Sequence, residues 1–300
     1  EPYPANLLQR VRQAATTVPG ELADAINFVK VAESHRTYAA VIEDGSEDPF
    51  ISARSAFQIV YPDGSIMLDS GMDETVHRFY GFGRVEPYWP DVNDTVQAAL
   101  RRAQLIIITH EHGDHTGGNE AVIKATGAKL LAHAGAKGRI PGIDRGLGAG
   151  DVIEVGKTVE LKCLDTPGHT MSHVCLLSHT DRPALFCGDT LFNAGAGNCH
   201  GGGHPNELYE TFAGQLAKLG DDTQVYPGHD YIANNLAFTL DREPDNAAAK
   251  TLLGEIENQD PHDPLVTTLV QEKQVNTFFR LRSPSVIQRL RDTVRGFPDQ

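Results

Sequence analysis

Thr109-His110-Glu111-His112-Gly113-Asp114-His115 follows the apolar run Leu105 to Ile108 and precedes Gly117-Gly118, and the rest of the chain is arranged around it. Four aliphatic residues in a row read as a strand buried on both faces. Three imidazoles and the Asp114 carboxylate then fall within six residues at its end. Nitrogen and carboxylate-oxygen donors gathered so closely suit zinc or a similar borderline first-row metal. The plain alternative is a polar loop whose histidines are solvated.

That alternative loses because the arrangement recurs. Thr166-Pro167-Gly168-His169-Thr170 follows the run Val159 to Leu164, and Gly188-Asp189-Thr190 follows Ala184 to Cys187. Tyr226-Pro227-Gly228-His229-Asp230 follows the pair Val225-Tyr226. Strand, tight turn and metal-binding side chain thus occur together four times, with Gly at each turn, where a missing Cβ lets the backbone bend sharply.

The series His-x-His-x-Asp-His, then a later His, Asp and His, resembles the metallo-β-lactamase superfamily. The resemblance implies an α/β fold, an αββα four-layer sandwich. It implies one metal on His110, His112 and His169, a second on Asp114, His115 and His229, and Asp189 bridging the two. The implied cofactor is a pair of Zn2+ ions, with Fe or Mn as alternatives. Asp69-Ser70-Gly71 resembles the first motif of that superfamily, in which the Asp buttresses the metal loop.

Three hundred residues with 40% hydrophobic and 22% charged side chains describe an ordinary globular protein with ample core. No run approaches the roughly 18 apolar residues that would span a bilayer, so no membrane partner is expected. A net charge of −14 repels a phosphate backbone and argues against nucleic acid as a partner. Cys163, Cys175, Cys187 and Cys199 recur every twelve residues without a sequence repeat behind them, and read as structural thiols. A soluble protein is expected, either cytoplasmic or exported. The chain begins at Glu1 without an initiator Met, which leaves an upstream export signal open.

Taken in order, residues 5 to 16 predict a surface helix, and the pattern from Ile26 to Ile42 turns to period two. Ala56 to Val60, Pro62-Asp63-Gly64 and Ser65 to Leu68 predict a hairpin. His77, Phe79, Tyr80, Phe82, Tyr88 and Trp89 lie in a loop-like stretch that is either a packed surface loop or an apolar wall of the site. Asp91 to Ala103 predicts a helix capped by Asp91 or Asn93. Asn119 to Ala125 predicts another helix and Lys129 to Ala132 a strand. Lys137, Arg139 and Arg145 sit in a glycine-rich loop. Strands at 151–155, 158–164, 173–178 and 183–187, a helix at Leu208 to Leu219 and a strand at Thr223 to Tyr226 complete this half.

Beyond His229 the pattern becomes helical, at Tyr231 to Leu240, Asn246 to Ile256, Pro264 to Gln274 and Pro284 to Val294. This tail, with Gly188-Asp189-Thr190-Leu191-Phe192, Gly228-His229-Asp230-Tyr231, Arg242-Glu243-Pro244-Asp245-Asn246 and Asn276-Thr277-Phe278-Phe279-Arg280, resembles hydroxyacylglutathione hydrolases (glyoxalase II). The expected organisation is a helical extension over 1–19, a catalytic domain over 20–230 and a helical domain over 231–300.

Metal-bound water ionises near neutral pH, so the resemblance implies a hydroxide held between two metals and oriented by Asp114, attacking a polarised acyl carbonyl. No Gly-x-Ser-x-Gly elbow is present, and the reaction expected is hydrolysis of a thioester or related acyl bond in a small-molecule substrate. Tyr231 matches a glutathione-binding Tyr of the family, whereas Asn198 and His200 stand where the family carries a Lys and a Tyr. These three are the candidate substrate contacts. His35, His77, His133, His173, His179 and His262 are read as non-ligands, and His204 as a loop residue. The alternatives are an iron-dependent persulfide dioxygenase, whose Cys-Gly-Arg-Thr-Asp-like stretch is missing, and a lactonase or β-lactamase on the same fold.

Overall fold

The computed structural model of the chain describes residues 24–37, 47, 49–62, 64–155, 159–178, 182–256 and 265–293. The expected helix at 5 to 16, the strand residues 38–42, and His179 and His262 lie outside these residues.

Two six-stranded sheets pack face to face. The first takes its strands in chain order: β1 (Ala25–Thr37), β2 (Pro49–Tyr61), β3 (Gly64–Leu68), β4 (Leu105–Ile107), β5 (Lys129–His133) and β6 (Arg145–Leu147). Its β1–β2–β3 part is antiparallel and the rest parallel. The second sheet has β7 (Val152–Val155), β8 (Val159–Asp165), β9 (Val174–Ser178) and β10 (Ala184–Gly188) in antiparallel array. A parallel strand at Gln224–Pro227 and an antiparallel one at Thr267–Thr268 complete its other edge.

Period-two alternation sorts the side chains. Ile107, Leu131 and Phe57 face Leu161, Cys163, Leu176 and Phe186 across the sheet–sheet core. Ile106 and Leu130, one residue out of phase, face the helix Pro90–Leu100 through Val96, Ala99 and Leu100. Cys175, Cys187 and Leu185 face the helix Pro205–Gly214 through Leu208 and Phe212. The result is the αββα sandwich, with a helical region behind it. Cys163, Cys175 and Cys187 are buried free thiols, and burial pushes Cys163 and Cys175 up to about 12.

Several boundaries differ from the sequence pattern. The aromatic stretch holds the helix Glu74–Tyr80, capped by the Asp73 side chain on the Val76 N–H. Phe79, Phe82 and Val85 are nonetheless exposed. The helix at 90 starts on Pro90, with Trp89 at the N-cap and no side-chain cap, because proline occupies a first-turn position where its missing N–H is harmless. The segment expected to be helical from Pro264 pairs first as a two-residue strand and turns helical only at Leu269–Val275, where Thr268 and Gln271 form a capping box. Part of the glycine-rich loop is strand β6.

The C-terminal helices (Ile232–Arg242, Ala247–Ile256, Leu269–Val275 and Pro284–Thr293) grip the turn that follows Asp189. The buried Glu272 carboxylate accepts from the Ala194 N–H at 2.9 Å, and Asn276 Nδ2 donates to the Gly195 carbonyl at 2.9 Å. Ala194 itself takes a positive φ of 56°.

A second buried carboxylate ties these helices together. Glu243 accepts from Arg280 Nη2 at 2.8 Å and from the Ser283 hydroxyl at 3.1 Å. Chiefly through the Arg280 hydrogen bond, its carboxyl is held down at about 2, against roughly 4.3 in an unfolded chain. A depressed carboxyl stabilises the fold above its unfolded pKa, and that stability is lost as pH falls towards the folded value. Glu243→Gln is therefore expected to lower stability by about 2 kcal/mol near neutrality, less than a fully buried pair would lose. The gap from wild type should narrow between pH 5 and pH 2 in thermal melts, and a gap independent of pH would refute this.

Candidate metal centre

All seven side chains singled out in the sequence meet at one end of the sandwich. His110 and His112 follow β4, and Asp114 and His115 lie in the short helix Gly113–Thr116. His169 follows β8, Asp189 follows β10, and His229 follows the strand Gln224–Pro227. Loops past strand ends carry them because the rigid sheets fix the loop stems while leaving the loop residues free to converge. Their donor atoms fall into three groups, each within 4.8 Å: His110, His112 and His169; His110, His115 and Asp189; and Asp114, His115 and His229.

Each imidazole is aimed by a hydrogen bond at its other nitrogen. Asp69 accepts from the Thr109 N–H at 2.8 Å, from the Thr109 hydroxyl at 3.0 Å and from His115 Nδ1 at 2.7 Å. The Thr109 oxygen, its proton given to Asp69, accepts from His110 Nδ1 at 3.1 Å. His112 Nε2 donates to the Gly201 carbonyl at 3.2 Å, His169 Nδ1 to the Asn198 carbonyl at 2.6 Å and His229 Nδ1 to the Ala53 carbonyl at 2.7 Å. These partners fix the tautomers and leave Nε2 of His110, His115, His169 and His229, and Nδ1 of His112, turned inward.

The inward atoms are an unstable set by themselves. His110 Nε2, His115 Nε2 and Asp189 Oδ1 are buried without a hydrogen-bond partner. The bare nitrogens of His169 and His112 stand 3.1 Å apart, so two lone pairs face each other unless a positive charge lies between them. Asp189 has its oxygens 3.4 Å from His115 Nε2, 3.5 Å from His169 Nε2 and 3.3 Å from His229 Nε2. Burial drives His110 well below the ordinary histidine range. It works the same way on His115 and His229, but there the carboxylates overturn it: Asp69, Asp189 and Asp114 hold His115 well above that range, and Asp189 does so for His229. Positive charge is what this cluster requires, and the donor set fits divalent metal.

The loop Gly197–Gly203 lies directly against the first group. A Cβ on Gly197 would sit 1.9 Å from the Asp189 carbonyl oxygen, and one on Gly203 would sit 2.0 Å from that of Gly168. Asn198 and His200 are exposed in this loop and line a cavity of about 600 Å³ with Tyr209, Phe212, Phe238 and Phe278. Asn198 reaches the site through its main chain, while its side chain accepts from the His200 N–H at 3.0 Å. Tyr231, half-buried, packs edge-on against Phe192 with ring centroids 4.9 Å apart, beside His229. A second cavity of about 530 Å³, between β1, β2 and the helix at 90, includes none of the seven side chains in its lining, which is mainly apolar.

Two residues near the centre escaped the sequence pattern. His173, wholly buried and driven well below the ordinary range by burial, accepts the Asp189 N–H on Nε2 at 3.1 Å. Its Nδ1 lies 3.0 Å from the Thr166 and Thr190 hydroxyls. Arg54 pairs with Asp114. His173 carried a faint signal, four residues past His169 in the same loop; Arg54 carried none. Among the others, His77 is buried against Tyr88, His133 lies 3.4 Å from Asp165, and exposed His35 lies 3.2 Å from Glu33. Arg139 pairs with Glu111 and Arg145 with Asp151. Among the described residues, no helix is long and apolar enough to cross a membrane.

Residues 52–229 match the metallo-beta-lactamase superfamily, and residues 230–297 match the hydroxyacylglutathione hydrolase C-terminus. A hydroxyacylglutathione hydrolase of Polaromonas sp. is 69% identical over 195 residues, 65% of this chain and 74% of that protein. One from Nitrosococcus oceani is 63% identical over 198 residues, 66% of this chain and 74% of that protein. A solved quorum-quenching N-acyl homoserine lactone lactonase shares the fold, with a TM-score of 0.54 at 18% identity, over 71% of this chain and 94% of that one.

Proposed function

The chain belongs to the metallo-beta-lactamase superfamily and, within it, to the hydroxyacylglutathione hydrolases, and from that premise we propose that it cleaves an S-acyl thioester of a glutathione-like thiol at a centre of two divalent cations, zinc by preference. The observation that carries the reading is the convergence of seven side chains, three of whose inward atoms, His110 Nε2, His115 Nε2 and Asp189 Oδ1, are buried and lack a hydrogen-bond partner. His110, His112 and His169 would hold one cation, Asp114, His115 and His229 the other, and Asp189 would bridge them. A catalytic domain ending near residue 230 and a helical domain from 231 onward are proposed on the same footing.

Such cations, when bound, bring the pKa of water to near neutrality and polarise an acyl carbonyl. The chain's own part is orientation and charge. Burial pushes the Asp114 carboxyl up, but His115, His229 and Arg54 outweigh it, so the group is ionised and accepts a hydrogen bond from the attacking water. Water oxygen bonds to the thioester carbon as one of its O–H bonds breaks, the carbon–sulfur bond breaks, and the sulfur leaves as a thiolate that takes up the proton the water lost, giving a carboxylic acid and a free thiol. The 600 Å³ cavity beside Asn198 and His200 is proposed to take the thiol half of the substrate, with Tyr231 as a further contact on the other flank.

The test is a panel of S-lactoylglutathione, simple thioesters and lactones on protein of measured metal content. S-lactoylglutathione should be turned over fastest with two cations per chain. Absence of turnover across the panel by metal-replete protein would refute the reading.

A further inference from the structure

Arg54 sits on β2 opposite Ala32, just past a bulge at which Val31 is the extra residue of β1. Its side chain is only 13% exposed, and its nitrogens are engaged on both sides. Nη1 pairs with Asp114 Oδ2, while Nε and Nη2 donate to the Ser34 hydroxyl at 3.3 and 3.1 Å. Ser34 is buried, and the Tyr80 ring lies 5.9 Å from the guanidinium carbon. Thus committed, this arginine serves the centre rather than a substrate.

The oxygen it holds is the one turned toward the centre. Asp114 Oδ2 lies 3.3 Å from His229 Nε2 and 3.9 Å from His115 Nε2. His110, His112 and His169 are held instead by a neutral hydroxyl and by carbonyls. A carboxylate oxygen already accepting from a cation has less to give to a second one, and the guanidinium repels any dication placed beside it.

We propose that Arg54 is a positioning residue that grades the two cation positions, competing for Asp114 Oδ2 and so making the Asp114–His115–His229 position the weaker one. This rests on the two-cation reading. The experiment is a Co2+ titration of metal-stripped full chain, followed by visible absorption and checked by metal analysis. Wild type should fill in two steps of unequal affinity. Arg54→Gln, which keeps an amide donor and removes the charge, should bring the two dissociation constants together by about tenfold or more. Arg54→Lys, which keeps the charge without the fork, should leave them apart.

A separation unchanged or widened in Arg54→Gln overturns the proposal. So does a separation that closes equally in Arg54→Lys, which would mean packing and not charge, and so do two equal steps in wild type. Uptake of fewer than two equivalents by wild type brings down the two-cation reading and this inference together. Two equivalents with no effect of Arg54→Gln brings down this inference alone.

Discussion

Asp189→Asn is expected to lower kcat/KM for the thioester on the order of 10³-fold and to reduce bound metal from two cations per chain to one or fewer. The carboxylate is 5% exposed and lies within 3.9 Å of inward nitrogens on His110, His115, His169 and His229. Asparagine fills the same space, so packing is preserved while the negative charge proposed to bridge both positions is lost. Without it the cations repel each other with less between them, and each loses an anionic oxygen donor. Metal analysis with steady-state kinetics measures the effect, and unchanged circular dichroism separates it from misfolding. Retention of both cations and of wild-type turnover would contradict the bridging role.

The second large effect is expected at Asp69, which stands behind the candidate ligands His110 and His115. Its carboxylate takes the Thr109 N–H, the Thr109 hydroxyl and His115 Nδ1, and through Thr109 it also sets the His110 tautomer. Asp69→Ala removes all of these acceptors in a buried place, where an unsatisfied donor is expensive. Metal affinity should fall about 10- to 100-fold, and stability by about 3 kcal/mol. Asp69→Asn keeps one acceptor oxygen for Thr109 and should lose less of both. Chelator competition and thermal melts on the two variants distinguish these outcomes, and wild-type metal affinity in Asp69→Ala would remove the buttress from the account.

Much of the centre was legible before any coordinates. Each candidate ligand follows an apolar run, and the strands that carry them in the second sheet, β8, β10 and Gln224–Pro227, share one direction, whereas the equally buried β9 runs opposite and carries none. That the four strand–turn motifs belong to one place was implied by the family resemblance, because burial alone does not set the direction of a strand. Asp69, at the end of the clearest hairpin, was legible through its resemblance to the first superfamily motif. The helix at Glu74–Tyr80 was not, because glycines and prolines over 81–90 masked a short helix whose cap is the single residue Asp73.

The order and chemical type of the seven candidate ligands are given by the sequence alone, because local spacing at strand ends carries them. Tertiary structure alone decided which nitrogen of each ring turns inward. For His229, His169 and His112 the atoms that decide it are main-chain carbonyls of Ala53, Asn198 and Gly201, and every residue type carries such a carbonyl; for His110 and His115 they are the Thr109 and Asp69 side chains. It also decided that Arg54 meets Asp114 across 60 positions and that Glu272 holds the turn after Asp189, since strand register and helix docking bring those charges together and no local pattern records either.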